Sequence, residues 1–344
     1  MGDAHGGRRR PALPCGVRLR LCLLEFAIDA TQRRDGSVNR PLFSLLLDRR
    51  TAADPRPDAA TGVSSRDVTV DASRGLWVRV FSPPPVPPSP TKPCPVIVYF
   101  HGGGFTLFSA ASRPFDAHCR TLCAGVGAVV VSVDYRLAPE HKFPAAYEDG
   151  ESVLRYLAIT GLPDDVQAVD LSNCFLAGDS AGGNIAHHVA QRWTTKNPPP
   201  PDDNPVRLAG IILLLPYFGG EERTKAERAM EGVAPVVNLR RSDRWWKAFL
   251  PEGADRNHPA AHVTGDGAGP EPELNEAFPP AMVAVGGLDS LQDWDRRYAR
   301  MLRQKGKAVR VVEFPDAIHA FYFFHRRHNA HFFTTSRKTS CFCI

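Results

Sequence analysis

Gly178-Asp179-Ser180-Ala181-Gly182 follows the apolar run Phe175–Ala177 and opens a stretch of helical period, Ala181–Trp193. A serine flanked by small residues at a strand-to-helix junction is the pattern of a nucleophile elbow. The turn is strained, and its small neighbours let the backbone make it. The serine Oγ then stands above the end of the strand. The helix behind it directs unsatisfied N–H groups and a positive dipole end at the same space. Ser180 is therefore read as a nucleophile.

Outward from the elbow, short runs rich in Val and Ile recur at Val96–Phe100, Ala128–Val133, Ile211–Leu215, Met282–Val285 and Val309–Phe314. None alternates strictly, as expected of strands buried on both faces. Helical stretches separate them: Arg113–Ala124, Ala145–Ile159, Asp243–Leu250 and Leu291–Gln304. This alternation predicts an α/β fold, with a mostly parallel central sheet and helices on both faces. Val68–Val70 and Leu76–Phe81 read as a hairpin-like start. Before them, Leu19–Ala30 fits an amphipathic helix and Pro41–Leu47 is a second apolar patch. Ser82–Pro95, Asn197–Pro205 and Thr264–Pro272 are loops by their Pro, Gly and Asp content. The reading divides the chain into an N-terminal segment (1–65), a core (66–324) and an atypical tail (325–344).

A second motif, His101-Gly102-Gly103-Gly104, comes directly after Val96–Phe100. Three glycines in a row suit a backbone that brings two N–H groups close to a substrate oxygen. An oxyanion hole needs such donors about 3 Å from the developing charge. Gly103 and Gly104 are assigned to it, with the amide of Ala181 as the third donor. His101 is read as structural.

A serine needs a base to act as a nucleophile. In the strand–elbow–helix arrangement the order is Ser, acid, His. His258 and His262 come before Met282–Val285, too early, and His325, His328 and His331 lie in a tail without strand pattern. His319 follows the last strand and is assigned as base. Asp289 sits just after Met282–Val285 and Gly286-Gly287 and is assigned as the orienting acid. Asp293 and Asp295 fall inside the next helix, and Asp316 is too near His319. His187 and His188, on the helix after the nucleophile, and the pair Trp245-Trp246 read as packing.

Composition excludes several other functions. Charged residues are 23% of 344, and the net charge of +5 owes much to arginines and lysines near the two ends. A nucleic-acid binder gathers its charge on one face or helix, so no nucleic-acid partner is expected. The eight cysteines are scattered and form no C-x-x-C pair, so no metal and no cofactor are expected. Residues 17–28 are broken by Arg18, Arg20 and Glu25, too short and too charged for a membrane span or a secretory signal. The expectation is a cytoplasmic protein, with a nuclear location also allowed and no membrane partner.

Four motifs in order carry a family resemblance: H-G-G-G at 101–104, D-Y-R-L-A-P-E-H at 134–141, G-D-S-A-G-G-N at 178–184 and G-G-L-D-S-L-Q-D-W at 286–294. From Leu19 to Phe324 the chain resembles the plant carboxylesterases of the hormone-sensitive-lipase family. The resemblance implies an α/β-hydrolase fold with an N-terminal helical lid, and a cofactor-free cytosolic esterase for small carboxylic esters. Relatives in that family include gibberellin receptors, which bind a hormone and carry an aliphatic residue in place of the catalytic His; this chain has His319. They also include isoflavanone dehydratases, some with Thr at the nucleophile; here it is Ser180. The alternative function is thus a non-catalytic small-molecule receptor. After Tyr322 the resemblance stops. The family continues into an amphipathic helix, whereas residues 325–344 lack a helical apolar period, and reduced stability is expected from that.

Overall fold

The computed structural model describes residues 11, 13–33, 36–84, 93–164, 166–196 and 204–324. The tail 325–344, Arg8 to Arg10 and parts of two proline-rich loops lie outside the described residues.

β1 (Ser64–Asp71) and β2 (Leu76–Ser82) pair antiparallel, as the hairpin reading anticipated. Then come β3 (Cys94–Phe100), β4 (Val129–Asp134), β5 (Val169–Asp179), β6 (Leu208–Leu214), β7 (Ala281–Gly286) and β8 (Val309–Phe314). All six are mutually parallel, and β2 joins them antiparallel through β4. The eight strands form one sheet in the order β1-β2-β4-β3-β5-β6-β7-β8.

Why the apolar runs do not alternate is visible along β3. Val96, Val98 and Phe100 face one core, while Ile97 and Tyr99 face another across the sheet. Successive side chains of a strand point to opposite faces, so a strand covered twice needs apolar residues throughout. On the first face lie α4 (Ala145–Ile159), α5 (Ala181–Lys196) and α8 (Gln292–Gln304). On the second, α3 (Arg113–Val126) places Phe115, Cys119 and Cys123 against the sheet. The N-terminal segment forms α1 (Cys15–Thr31) and α2 (Arg40–Leu46), which pack on each other.

Two helices differ from expectation for local reasons. α7 (Leu239–Phe249) starts before Asp243, because the Asn238 side chain caps it by accepting from the Arg241 amide. α6 (Lys225–Met230) was not anticipated. It is too short to show a period, and a Thr224–Glu227 capping box starts it.

The strand order places the site. β4 and β5 lie on opposite sides of β3, so the chain reverses direction there. Ligands of open parallel sheets bind outside the carboxyl ends of the strands at such a switch point. The glycine run leaves β3 and the elbow leaves β5, so both open into one crevice. They also touch: a Cβ on Gly182 would lie 1.9 Å from the Phe100 carbonyl oxygen. No rotamer change relieves a clash with backbone, so Gly182→Ala is expected to cost about 3 kcal/mol or more. Urea unfolding would measure it, and a loss under about 1 kcal/mol would show that the elbow and β3 are not locked together.

Candidate active site

Ser180 sits between β5 and α5 at φ +52°, a left-handed conformation that a serine adopts only under constraint. The constraint is backbone. The Ser180 amide donates to the Leu214 carbonyl at 2.9 Å, and its own carbonyl accepts from the Asn184 and Tyr217 amides at 3.2 and 2.8 Å. Flanking glycines have no room for a side chain, since a Cβ on Gly178 would lie 2.3 Å from the Gly182 carbonyl.

The structure brings the three residues expected to work together into one chain of hydrogen bonds. His319 Nε2 lies 3.0 Å from Ser180 Oγ, and its Nδ1 lies 2.7 Å from Asp289 Oδ2. The other Asp289 oxygen accepts from the Leu291 amide at 3.1 Å, which fixes the carboxylate plane. Ser180, Asp289 and His319 are all buried. A neutral imidazole held this way carries its proton on Nδ1 and presents the lone pair of Nε2 to the serine.

Gly103 and Gly104 line the same cavity as Ser180 and His319. Their φ values are +117° and +59°, and a Cβ on Gly104 would meet the Trp245 ring at 2.5 Å. Among the described residues their amides donate to no other backbone group. Ala181 is the first residue of α5, where the backbone N–H has no intrahelical acceptor. His101 is buried behind the run. It bonds to the Gly102 carbonyl at 2.8 Å and stacks on Tyr135 at 4.4 Å, in keeping with a structural role. Burial lowers its pKa, so the ring stays neutral.

The cavity holds about 270 Å³. Apart from Asp179, its remaining walls are largely apolar and include Leu24 and Ile28 of α1, Leu47, Phe108, Val236 and Trp245. The reading of Trp245 as packing was incomplete. Trp246 does stack on Tyr217, but Trp245 faces the cavity across Gly104. His187 and His188 are packing residues, in ring contact with Tyr298 and Tyr147.

One residue that the motif reading passed over holds the arrangement together. Asp179 is buried, and Oδ1 accepts from Tyr99 Oη at 2.6 Å and the Gly102 amide at 2.9 Å. Its Oδ2 accepts from Tyr322 Oη at 2.9 Å. Burial, with this carboxylate alongside, pushes both phenols well above their ordinary pKa, so both stay protonated as donors. Sequence reasoning missed it because Asp179 occupies the unspecified position of the elbow motif and its partner Tyr322 lies 143 positions away.

Comparison with known proteins identifies the fold. A family profile described as alpha/beta hydrolase fold matches residues 97–323. This chain belongs to the α/β-hydrolase family. The gibberellin receptor GID1C of Arabidopsis thaliana is 37% identical over 345 residues, covering 97% of this chain and 95% of that one. Carboxylesterase 20 of the same plant is 35% identical over 285 residues, covering 81% and 84%. Among solved structures, the hyperthermophilic esterase of the archaeon Pyrobaculum calidifontis aligns with a TM-score of 0.70 at 27% identity, over 96% of this chain and 100% of that one. The α/β-hydrolase relatives thus include receptors and esterases on one scaffold.

Behind the hydrolase site, Asp295 of α8 is fully buried, and neither carboxyl oxygen has a hydrogen-bond partner among the described residues. Burial, and then the nearby Asp289, push its pKa well above the ordinary 3.8. The folded protein therefore holds this proton to a higher pH than the unfolded chain does. Its contribution to stability is complete below 3.8 and drains away as the pH rises towards the folded value. Asp295→Asn, which mimics the neutral acid, is expected to raise the melting temperature at pH 8 and leave it nearly unchanged at pH 4. An equal shift at both pH values would show that Asp295 is not the titrating group.

Proposed function

We propose that this α/β-hydrolase is a serine carboxylesterase acting on small carboxylic esters through an acyl-enzyme on Ser180. The observation that carries the reading is the unbroken chain from Asp289 through His319 to Ser180, with contacts of 2.7 and 3.0 Å, ending in an apolar cavity. In this scheme His319 Nε2 takes the Ser180 proton while Oγ attacks the ester carbonyl. The amides of Gly103, Gly104 and Ala181 hold the oxyanion. His319 then protonates the departing alkoxide, and the alcohol leaves. Water enters, gives its proton to His319 and attacks the acyl carbonyl, releasing the acid and restoring Ser180. Asp289 fixes the imidazole tautomer and stabilises the imidazolium formed in both halves. α1 and α2 act as a lid, since Leu24 and Ile28 supply one wall of the cavity.

The cavity walls define the substrate. Apart from the reacting groups and Asp179, the lining side chains are apolar, so an uncharged ester is preferred to a charged one. A second reading, a small-molecule receptor, is favoured by the likeness to the gibberellin receptors, at 37% identity for GID1C. A receptor needs a cavity but not a base against the serine.

Hydrolysis of p-nitrophenyl butyrate by the purified protein separates the two. Wild type is expected to turn it over, and Ser180→Ala to lose about ten-thousand-fold or more in kcat. Asp289→Asn, which strands the imidazole in the wrong tautomer, is expected to lose about ten-thousand-fold as well. A wild type that melts cooperatively but hydrolyses nothing would overturn the esterase and leave the receptor.

A further inference from the structure

Among the described residues, six large apolar side chains are strongly exposed, and five of them stand on the first two helices. Leu19, Leu23 and Phe26 belong to α1, and Leu45 and Leu46 to α2. Positions 19, 23 and 26 recur at the helical repeat and form one stripe. Exposures of 62%, 58% and 70% on that stripe, and 78% at Leu45, mean that the side chains protrude. α1 is therefore apolar on two sides: Leu21 and Ile28 are buried inward, and this stripe faces out.

Among the described residues of the same segment, the exposed charges have one sign. Its exposed charged residues are Arg18, Arg20, Arg33, Arg49 and Arg50. The acidic side chains described there are paired: Glu25 and Asp29 each lie 2.7 Å from Arg241, and Asp48 is buried against Ser112 and bonds Arg50 at 2.9 Å, leaving Arg18, Arg20, Arg33 and Arg49 as the exposed arginines without an ion pair to an acid among the described residues. In the sequence, Arg8-Arg9-Arg10 come shortly before α1. No described helix is long and apolar enough to cross a membrane. A helix lying in a lipid interface needs no such length. It needs an apolar stripe, flanking Lys or Arg, and usually a second signal such as a basic cluster.

We propose that the outer face of α1 and α2 docks on an anionic lipid surface. Leu19, Leu23 and Phe26 enter the boundary between headgroups and acyl chains, and the arginines meet the lipid anions. The proposal does not depend on the esterase reading, because the outward stripe and the cavity wall are opposite sides of one segment.

Flotation of the full chain with vesicles tests it. Binding is expected to phosphatidylcholine vesicles that contain phosphatidylserine, with little to phosphatidylcholine alone, and high salt should release the protein. Arg18→Gln with Arg20→Gln should weaken binding about 25-fold, roughly fivefold per arginine. Leu23→Asp with Phe26→Asp should abolish it while the thermal unfolding transition stays that of wild type. Absence of wild-type flotation would overturn the proposal, as would unchanged flotation of the Leu23→Asp/Phe26→Asp pair. So would a dimer in lipid-free sedimentation that this pair disperses, since the face would then belong to a second copy of the chain.

Discussion

The Asp179 carboxylate is the point on which the site depends. It is buried and takes three donors, from the end of β3 at Tyr99, from the glycine run at Gly102 and from the segment after His319 at Tyr322. The donors come from two distant parts of the chain, the end of β3 with its glycine run and the segment after His319, and the residue next to the acceptor is Ser180. A buried charge survives only when its lone pairs are satisfied. Folding thus reaches its minimum only when β3 with its glycine run and the segment after His319 have both arrived beside the elbow. Hydrogen bonds to an ionised acceptor are about twice as strong as neutral ones. That strength suits a junction where three loops meet with little regular structure of their own.

The sheet sets the coarse geometry and the backbone sets the fine. Reversal of strand order at β3 opens the crevice, and the absent Cβ atoms at Gly178 and Gly182 let the elbow press against the end of that strand. Ser180 then keeps its left-handed backbone because three main-chain hydrogen bonds hold it there. Strain at one residue is sustained by the surrounding packing, as is common where chemistry is done. Asp295 shows the opposite case, a buried carboxyl with no hydrogen-bond partner among the described residues, made tolerable by keeping its proton.

Much of this was legible in the residues. The parallel sheet followed from Val- and Ile-rich runs without alternation, and β3 shows the cause, with a core on each side of it. Ser180, Asp289 and His319 could be picked out because each follows a strand, and chain order then ranked the candidates. What the sequence did not disclose depends on contacts across long separations. Asp179 and Tyr322 are 143 positions apart, and no local pattern joins them. Trp245 shares an aromatic pair with Trp246, yet only the fold turns one ring to the cavity and the other to Tyr217. Asp295 was passed over as a helix residue, since its burial comes from the face of α8 that meets the sheet. α6 escaped because a one-turn helix has no period to read.

The contact between Gly182 and Phe100 reaches beyond stability. It means that the spacing between the serine and the glycine run is set by main chain against main chain, with Asp179 the one cavity-lining side chain that ties the two together among the described residues. Leu24, Ile28, Phe108 and Val236 line the cavity but take no part in that contact. The shape of the cavity can therefore change with its walls while the distance between elbow and glycine run stays fixed.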